Sequence, residues 1–400
     1  MYKPEVLWEV THKCNAKCIH CLSSAGEFRD EELSTEEALD VCDQLADIAN
    51  GIHLLGGEVF LRKDWKQLVE RIHSHGVDFS IVTNAIALTR DRIRYLKDLN
   101  ISTIGISVDG GDAAVNDYIR GVPGLYDKVF ETMYVLQEEG MNFGVISTFN
   151  KKNIYQADMM IGNIINSPAY TWQVQIASAH GRMVKELSLD DFEFYILGLY
   201  MSISKMRLPE DKIKIVAGHD MGHFSKVIPH FTAHKEWNGC MAGKYTFGIC
   251  SNGDIHGCLC MMSANEYVLG NVREKPIKEF WNSESFCDWN HREEKHKILS
   301  GFCKECEHAA QCVAGCSDTA HSLTGTVGEN PLCYHRIETI WKDKEPTNHF
   351  EYLFKELVGG AVDEYGNVYM AAGHMLNRGY LAKFDLTPEE HKLFSYLANV

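Results

Sequence analysis

The sequence contains no stretch of about 18 apolar residues, the length that a membrane-spanning helix needs. It also lacks the basic and then apolar start of a secretory signal, because it opens with MYKPEVLWEV. Basic residues are outnumbered by acidic ones, 39 to 55, and the net charge of −16 disfavours binding to nucleic acid or to anionic membranes. These absences predict a cytosolic protein with neither nucleic acid nor membrane among its partners.

Cysteine is absent from the long central part of the chain, between Cys42 and Cys240. The 14 cysteines fall instead into a small group near the start and a group of ten between Cys240 and Cys333. In a reducing cytosol, cysteines at short fixed spacings indicate metal binding rather than disulfides. The sequence therefore predicts two metal-binding regions separated by a metal-free body.

The first half of the chain alternates between strand-like and helix-like segments. The first helix is predicted to begin at Ser34, where STEE offers a capping box between Ser34 and Glu37. Strands alternating with helices indicate a parallel sheet, and six such units predict a partial (β/α)6 TIM barrel with its chemistry at the carboxyl ends of the strands. The predicted strands are 6–10, 51–57, 78–83, 102–108, 142–148 and 171–177, and the later helices are 64–75, 89–99, 125–139 and 154–166.

The alternation predicts an α/β core that is followed by less regular regions. Little periodicity survives in the cysteine-dense region, so we expect metal rather than apolar burial to order much of it. The predicted domains are a core at 1–184, a helical connector at 185–239, a loop-rich metal-binding domain at 240–336, and an extension at 337–400 with a hairpin at 361–373 and a helix at 387–400.

Three cysteines, Cys14, Cys18 and Cys21, directly follow the first predicted strand. Cysteine thiolates are the usual ligands of iron–sulfur clusters, and three thiolates leave one iron of a [4Fe–4S] cluster open. The order C-x3-C-x2-C at this place resembles the radical S-adenosylmethionine (radical SAM) superfamily. The resemblance implies that S-adenosylmethionine binds the open iron and that one electron from the cluster cleaves a sulfur–carbon bond of this cofactor. The resulting 5′-deoxyadenosyl radical would remove a hydrogen atom from a substrate.

Further segments match the same superfamily in the expected order. The GGE sequence of Gly56, Gly57 and Glu58 ends the second strand and resembles the loop that binds the methionyl ammonium, although Val59 stands where proline is usual. The glycines permit a close approach of the backbone. The resemblance implies that the remaining cofactor contacts are Ser107 for the ribose, Arg120 for the carboxylate, and His20 and Ile176 for the adenine.

The second group of cysteines resembles SPASM, an auxiliary iron–sulfur module found on enzymes that modify peptides and proteins. The pattern is C-x12-G-x4-C from Cys240, then C-x2-C-x5-C-x3-C from Cys303, then Cys333. The resemblance implies two auxiliary [4Fe–4S] clusters and therefore three in total. The implied ligands are Cys303, Cys306, Cys312 and Cys333 for a distal cluster, and Cys240, Cys258 and Cys316 for a proximal one.

The proximal set is one ligand short, because His234 stands where some relatives have a further cysteine. Either one iron is open, or Cys250, Cys260 or His234 completes the site. We expect Cys42 and Cys287 to be small buried hydrophobic residues. The histidines at 219, 223, 230 and 234 have helical spacing, but they are more often structural than metal-binding.

Two auxiliary clusters suit oxidations, because they can accept or relay electrons. The closest resemblance is to mycofactocin maturase-like enzymes that modify ribosomally made precursor peptides by crosslinking, oxidative decarboxylation or excision at tyrosine. The alternatives are formylglycine formation, as in anaerobic sulfatase maturases, and tetrapyrrole or other small-molecule maturation. Leu259 stands where the sulfatase maturases have an aspartate that serves as base. An electron carrier without chemistry of its own would not need the GGE loop.

The resemblance also implies partners. A flavodoxin or ferredoxin would supply the electron. Many peptide maturases begin with a leader-binding domain, and this chain starts just before its first strand. We therefore expect either a separate small protein that presents the leader peptide or recognition of the leader by the C-terminal tail. No catalytic base stands out in the sequence. Asp109 and Arg182 are the candidates, since their positions relative to the predicted strands direct them to the mouth of the barrel.

Overall fold

In the computed structural model, ten strands form one sheet within the described residues, which are 2–26, 31–208, 212–225, 227–228, 237–347 and 349–358. Eight neighbouring strands are parallel, in the order β8-β1-β2-β3-β4-β5-β6-β7, and β9 and β10 extend the edge beside β8 in antiparallel pairs. The strands are β1 Glu5–Glu9, β2 Gly51–Leu55, β3 Asp78–Thr83, β4 Thr103–Ser107, β5 Phe143–Phe149, β6 Thr171–Ile176, β7 Lys214–Ala217, β8 Thr246–Ile249, β9 Asp254–His256 and β10 Val268–Asn271.

The helices of the first half cover the sheet, and those of the second half are mostly short. The parallel sheet and the alternating helices confirm the predicted barrel-like core. The helices of the described chain are α1 Thr35–Ile48, α2 Trp65–Ser74, α3 Arg90–Asp98, α4 Ala113–Arg120, α5 Leu125–Glu138, α6 Ala157–Ile165, α7 Asp191–Arg207, α8 Ile277–Trp281, α9 Arg292–Lys297, α10 Gly301–Glu305, α11 Ala309–Cys312, α12 Ser317–Thr324, α13 Tyr334–Asp343 and α14 His349–Val358.

The start of α1 has the predicted capping box. The Ser34 hydroxyl accepts a hydrogen bond from the Glu37 backbone N–H, and the Glu37 carboxylate accepts one from the Ser34 N–H. This arrangement satisfies two backbone donors that a helix start would otherwise leave unpaired. The apolar face of α1 packs on the sheet through fully buried residues such as Leu45, whose burial favours folding by roughly 2 kcal/mol.

The connector at 185–239 contains the expected helix, α7, but it also contains a strand. β7 pairs in parallel with β6 and so adds a seventh strand to that side of the sheet. The sequence KIVA of β7 is only four residues long, which is too short for a periodic pattern to stand out. The helix α4, which carries Arg120, was likewise not among the predicted helices.

The metal-binding half is joined to the core through the sheet itself. β8 lies beside β1 in parallel register, with Val6 opposite Phe247, so the sheet continues across the predicted boundary at 239 and 240. The hairpin expected at 361–373 and the helix expected at 387–400 lie outside the described residues. Within the described part, no helix is both long and apolar enough to cross a membrane.

Candidate active site

The loop after β1 brings Cys14, Cys18 and Cys21 to the carboxyl end of the parallel sheet. Backbone N–H groups donate to two of the sulfurs: Ala16 to Cys14 Sγ over 3.4 Å and Ala25 to Cys21 Sγ over 3.3 Å. Such hydrogen bonds stabilise a thiolate. Burial raises the pKa of the Cys14 thiol to about 11, so deprotonation there needs a bound metal.

The GGE loop after β2 lies directly against the start of the cysteine loop. The Gly57 N–H donates to the Thr11 carbonyl over 2.7 Å, and the Glu58 N–H donates to the Lys13 carbonyl over 2.9 Å. A Cβ atom at Gly57 would come within 2.3 Å of the Lys13 carbonyl oxygen. The glycine is therefore required for the close approach of the two loops.

The carboxylate of Glu58 has a structural role that the sequence did not reveal. It is buried and accepts hydrogen bonds from Thr83 Oγ1 over 2.8 Å and from the Asn84 N–H over 2.9 Å, at the end of β3. Burial raises its pKa, and these hydrogen bonds partly offset the rise. The hydrogen bonds of Glu58 therefore link the GGE loop to the end of β3.

Three residues predicted to serve the active site form one buried polar cluster. Arg120 Nη1 lies 2.9 Å from Asp109 Oδ2, and His20 Nε2 lies 3.5 Å from the same oxygen. The other Asp109 oxygen accepts a hydrogen bond from the Thr148 N–H. Both oxygens of Asp109 therefore have partners, and the carboxylate positions Arg120 and His20; its candidate catalytic role stays a prediction.

The buried polar cluster of His20, Asp109 and Arg120 leaves two nitrogen atoms that a ligand can contact. Arg120 Nε and His20 Nδ1 are buried and have no hydrogen-bond partner in the part of the chain that the structure describes. Burial lowers the pKa of His20, which favours a neutral imidazole. A fixed guanidinium beside a neutral imidazole suits a ligand that carries a carboxylate and an aromatic base.

Ser107 is the last residue of β4, and Ile176 is the last residue of β6, two strands away. Both strands end on the same side of the sheet as β1, which the cysteine loop follows. The Ile176 side chain is almost fully buried, and its backbone N–H donates to Asp220 Oδ2 over 3.0 Å. The topology thus brings both predicted contacts to the carboxyl end of the sheet, because parallel strands end there together.

Arg182 holds the cysteine loop rather than facing an open space. Its Nε donates to the Cys18 carbonyl over 2.9 Å, and its Nη1 donates to the Ala25 carbonyl over 2.7 Å. Its own backbone N–H donates to the Cys21 carbonyl. The guanidinium therefore positions the cysteine loop, and the candidate catalytic role of Arg182 stays a prediction.

The four cysteines of the predicted distal set line one cavity. Backbone N–H groups again donate to sulfur, from Asn330 to Cys303 Sγ over 3.5 Å and from His308 to Cys306 Sγ over 3.3 Å. Four converging soft donors match the ligand set of an iron–sulfur cluster. The cavity is lined by Cys303, Cys306, Cys312 and Cys333, with His223, Phe224, Phe302, His308, Ala309, Ala314, Gly315, Asn330 and His335 around them.

The predicted proximal set lies between the sheet and α12. Cys258 follows β9, Cys316 precedes α12, and each influences the charge state of neighbouring thiols. Cys258 and Cys316, together with burial, raise the pKa of Cys260. Of the three candidates for the missing ligand, Cys260 is the one that interacts with Cys258 and Cys316. Cys250 follows β8 in a tight turn, and His234 lies outside the described residues.

The histidine group at 219, 223, 230 and 234 is only partly described. The His223 ring stacks on Trp237 with 3.7 Å between ring centroids and lines the distal cavity. His230 and His234 lie outside the described residues. The stacking gives His223 a packing role beside the distal cysteines.

A second buried polar group lies between the core and α12, and the sequence carried no signal for it. The Ser178 hydroxyl donates to Asp318, and His180 Nε2 lies 3.2 Å from Asp318 Oδ1. Asp220, beside Ile176, has one oxygen without a partner in the described structure. These residues come from three separate segments, so neither spacing nor composition could have grouped them.

Comparisons with known proteins identify the two halves separately. The radical SAM superfamily model matches residues 8–158, and the model of the SPASM iron–sulfur cluster-binding domain matches residues 240–307. An AdoMet-dependent heme synthase of Methanosarcina barkeri is 28% identical over 351 residues, which cover 83% of this chain and 96% of the relative. The first family match includes Cys14, Cys18 and Cys21, and the second includes Cys240, Cys258, Cys303 and Cys306.

Two relatives are named for peptide chemistry. The mycofactocin maturase MftC of Mycolicibacterium smegmatis is 28% identical over 338 residues, covering 82% of this chain and 81% of the relative. The PqqA peptide cyclase of Bradyrhizobium diazoefficiens is 27% identical over 378 residues, covering 90% and 94%.

A solved structure, Streptococcus suis SuiB bound to its precursor peptide SuiA, has the same fold, with a TM-score of 0.65 and 18% identity over 82% of this chain and 75% of that chain. The family models require [4Fe–4S] clusters and S-adenosylmethionine, and the converging thiols fit the clusters. The chain belongs to the radical SAM superfamily, as an enzyme with a SPASM auxiliary iron–sulfur domain.

Proposed function

We propose that this enzyme is a maturase that oxidatively modifies a ribosomally synthesised precursor peptide. Two relatives that align over at least 82% of this chain are named as a maturase and a peptide cyclase. The reaction could be a crosslink, a decarboxylation or an excision at tyrosine. One observation about the buried surface between the two halves of the molecule supports a peptide substrate.

That observation is the set of unsatisfied polar atoms next to the carboxyl end of β6. Asp220 Oδ1, Thr319 Oγ1 and His321 Nδ1 are buried and lack hydrogen-bond partners among the described residues. Buried polar atoms without partners are costly, and their usual explanation is a ligand or ordered water. A peptide backbone carries an N–H and a carbonyl at nearly every residue, so it can satisfy several such atoms at once.

The placement of this group suits the chemistry. Ser178 and Asp220 lie beside Ile176, the predicted adenine contact, while Asp318 lies two residues after Cys316 of the proximal set. A substrate bound here would lie between the cofactor and the proximal cluster. We propose that the His180–Asp318 pair and Asp220 bind the substrate and hold its exchangeable protons.

The residues of the core would hold the reacting groups in the following way. Cys14, Cys18 and Cys21 hold three irons of a cluster and leave the fourth to the cofactor. When bound, the cluster and S-adenosylmethionine supply an electron and a carbon-centred radical that abstracts hydrogen from the substrate. Arg120 offers its free Nε to the cofactor carboxylate, and Gly57 gives the loop the space to bind the ammonium.

We further propose Cys240, Cys258, Cys260 and Cys316 as the proximal ligands, and the cavity-lining four as the distal ligands. Cys260 lies two residues after Cys258, and its pKa depends on Cys258 and Cys316, which supports it as the fourth ligand. A cluster with four thiolates has no open iron, so it would carry electrons rather than bind substrate.

The ligand assignment is tested with Cys260→Ala. This variant should lose iron from one auxiliary site, whereas Cys42→Ala should keep all of it, because Cys42 is buried against the Leu68 carbonyl far from the other thiols. Iron analysis and electron paramagnetic resonance (EPR) of the reduced protein measure the result. Full auxiliary iron in Cys260→Ala would reject Cys260 as a ligand.

The function is tested by incubating the reconstituted enzyme anaerobically with dithionite, S-adenosylmethionine and the precursor peptide encoded beside it. A loss of two hydrogens indicates a crosslink, a loss of carbon dioxide with two hydrogens indicates decarboxylation, and a larger internal loss indicates excision. Mass spectrometry with and without the neighbouring small protein tests the leader-binding partner, since full turnover by the enzyme alone rejects it. Replacing dithionite by flavodoxin or ferredoxin tests the electron donor.

A tetrapyrrole substrate is the second candidate. It is favoured by the alignment with the heme synthase, which covers 96% of that relative. The same assay with an iron tetrapyrrole such as Fe-coproporphyrin III distinguishes the two: 5′-deoxyadenosine that rises with the tetrapyrrole and not with the peptide would replace our proposal.

The remaining alternatives have less support. Leu259, at the position of the sulfatase-maturase base, is buried against Gly248 and brings no carboxylate to the site. A pure electron carrier is excluded, because the chain belongs to an enzyme superfamily.

A further inference from the structure

A lysine lies fully buried at the centre of the metal-binding half. Lys295, on α9, has no exposed surface, and its Nζ donates to Ser317 Oγ over 2.7 Å. Ser317 is itself fully buried and lies next to Cys316 in the chain. Among the described residues, no carboxylate lies within ion-pairing distance of the ammonium group.

The groups around Lys295 are cysteine sulfurs. The charges that act on it most are those of Cys240 and Cys316 of the proximal set, followed by Cys312 of the distal set and Cys287. Ser317, which accepts the hydrogen bond from Lys295, directly follows Cys316 in the chain. Lys295 is thus connected to the proximal set through Ser317, the residue next to Cys316.

Asn290 holds this arrangement in place. It is fully buried, and its amide nitrogen donates to the carbonyl groups of Cys240 and Ala242 over 3.0 and 2.7 Å. Its amide oxygen accepts a hydrogen bond from Ser317 Oγ over 3.4 Å. The chain from Lys295 through Ser317 and Asn290 to Cys240 is therefore preorganised without any carboxylate.

A buried ammonium without a counter-charge is strongly unfavourable, and buried lysines are retained where an anion compensates them. The anion available at this place is a thiolate-ligated iron–sulfur cluster, which carries net negative charge. Reduction adds one more negative charge to the cluster. A nearby fixed cation stabilises that reduced form, and cluster potentials depend on the net charge and hydrogen bonds around the sulfurs.

We propose that Lys295 is the buried counter-cation of the proximal auxiliary cluster and raises its reduction potential, which makes the cluster a better electron acceptor. The proposal rests on the auxiliary ligands assigned under the proposed function, but it does not depend on the identity of the substrate. Lys295 is a tuning residue, since it would act on the cluster through its charge and through Ser317.

The test is a redox titration of the full chain, followed by EPR, in the absence of substrate. Lys295→Met removes the charge and keeps most of the volume. We expect the reduction potential of one auxiliary cluster to fall by at least about 59 mV. For one electron, this corresponds to a tenfold shift in the reduction equilibrium. The potential of the S-adenosylmethionine-binding cluster, recognised by its response to the cofactor, should stay unchanged.

The matched control is Lys297→Met on the same helix. Its side chain is 66% exposed and paired with Glu294, so its removal should leave all potentials unchanged. Unchanged auxiliary potentials in Lys295→Met with full iron content would overturn the proposal, as would an equal shift in Lys297→Met.

A further variant covers the case in which Lys295→Met does not assemble its auxiliary clusters. Lys295→Arg keeps the charge, so retention of iron and of a potential near that of the parent would support the proposal. Loss of iron in both variants would mean that only the shape of lysine matters, and the proposal would be wrong. A shifted potential together with an unmodified peptide would leave Lys295 assigned and reject only the peptide substrate.

Discussion

His20, Asp109 and Arg120 show how single residues acquire roles that their identity does not specify. Each stands in a different segment, and they meet at one carboxylate oxygen. Both oxygens of Asp109 have partners, one with Arg120 and His20 and the other with the Thr148 N–H. Arg120 and His20 each keep one nitrogen without a partner in the described structure. At the scale of the residue, burial and hydrogen bonding decide which groups remain available for a ligand.

Arg182→Met should weaken the N-terminal cluster site, because it removes the donors to the carbonyl groups of Cys18 and Ala25. Loss of such outer contacts typically lowers metal affinity about 10- to 100-fold. We expect that cluster to be lost faster on dilution into chelator. The EPR signal that responds to S-adenosylmethionine measures the rate of loss. Arg71→Met, at an exposed pair with Asp43, is the control, and equal rates in both variants would contradict the role.

Asp220→Asn should stabilise the protein more at pH 8 than at pH 5.5. Burial raises the pKa of Asp220 from 3.8 to about 7, so the folded state loses stability as the pH rises from about 4 to about 7. Above pH 7 the ionised Asp220 lowers the free energy of unfolding by on the order of 4 kcal/mol. A neutral asparagine at this position does not have this cost.

Urea unfolding under anaerobic conditions at the two pH values measures the difference for Asp220→Asn. Asp47→Asn, at an exposed position on α1, serves as the control and should show no pH-dependent gain. A gain for Asp220→Asn that is the same at both pH values would show that Asp220 is already ionised at the lower one.

At the scale of the element, the loops after β1 and β2 form the cofactor side of the site together. The GGE loop hydrogen-bonds to Thr11 and Lys13 just before the first cluster cysteine, and Glu58 extends the contact to the end of β3. Three neighbouring parallel strands therefore have their carboxyl ends connected by short hydrogen bonds. The spacing of the motifs along the chain follows from the repeated strand–helix unit.

Gly57→Ala should disrupt this contact, because its Cβ would lie 2.3 Å from the Lys13 carbonyl oxygen. A displacement of about 1 Å at a reacting centre costs on the order of 100-fold in rate, so 5′-deoxyadenosine formation should fall by about that factor. Gly162→Ala on α6 is the matched control. Its added Cβ meets no atom within 4 Å, and alanine favours a helix by roughly 0.5–1 kcal/mol. Unchanged turnover in Gly57→Ala would mean that the loops can separate.

At the scale of the whole molecule, the core and the metal-binding half share one sheet. β8 is bonded to β1, and its Phe247 is fully buried against Trp281 and Phe286 of the second half. The proximal cysteines are therefore held at a set position relative to the cysteine loop after β1.

Phe247→Ala should destabilise the whole chain by about 3–5 kcal/mol, because it leaves a cavity at the junction of the two halves. Tyr170→Ala, whose side chain is 63% exposed, should cost less than about 0.5 kcal/mol. Anaerobic urea unfolding followed by circular dichroism and by cluster absorbance compares them. Separate transitions for the two signals in Phe247→Ala would indicate halves that unfold independently.

The sequence by itself determined the repeated strand–helix core, the capping box of α1, and the two cysteine groups with the cofactors they imply. These features depend on residues close together in the chain, where hydrophobic period and ligand spacing are visible. Only the tertiary structure decided that β7 and β8 join the sheet, that Asp109 and Arg182 position other groups, and that Lys295 lies among the auxiliary cysteines. Those facts depend on contacts between residues far apart in the chain, and burial and charge at such contacts arise only when the segments pack together.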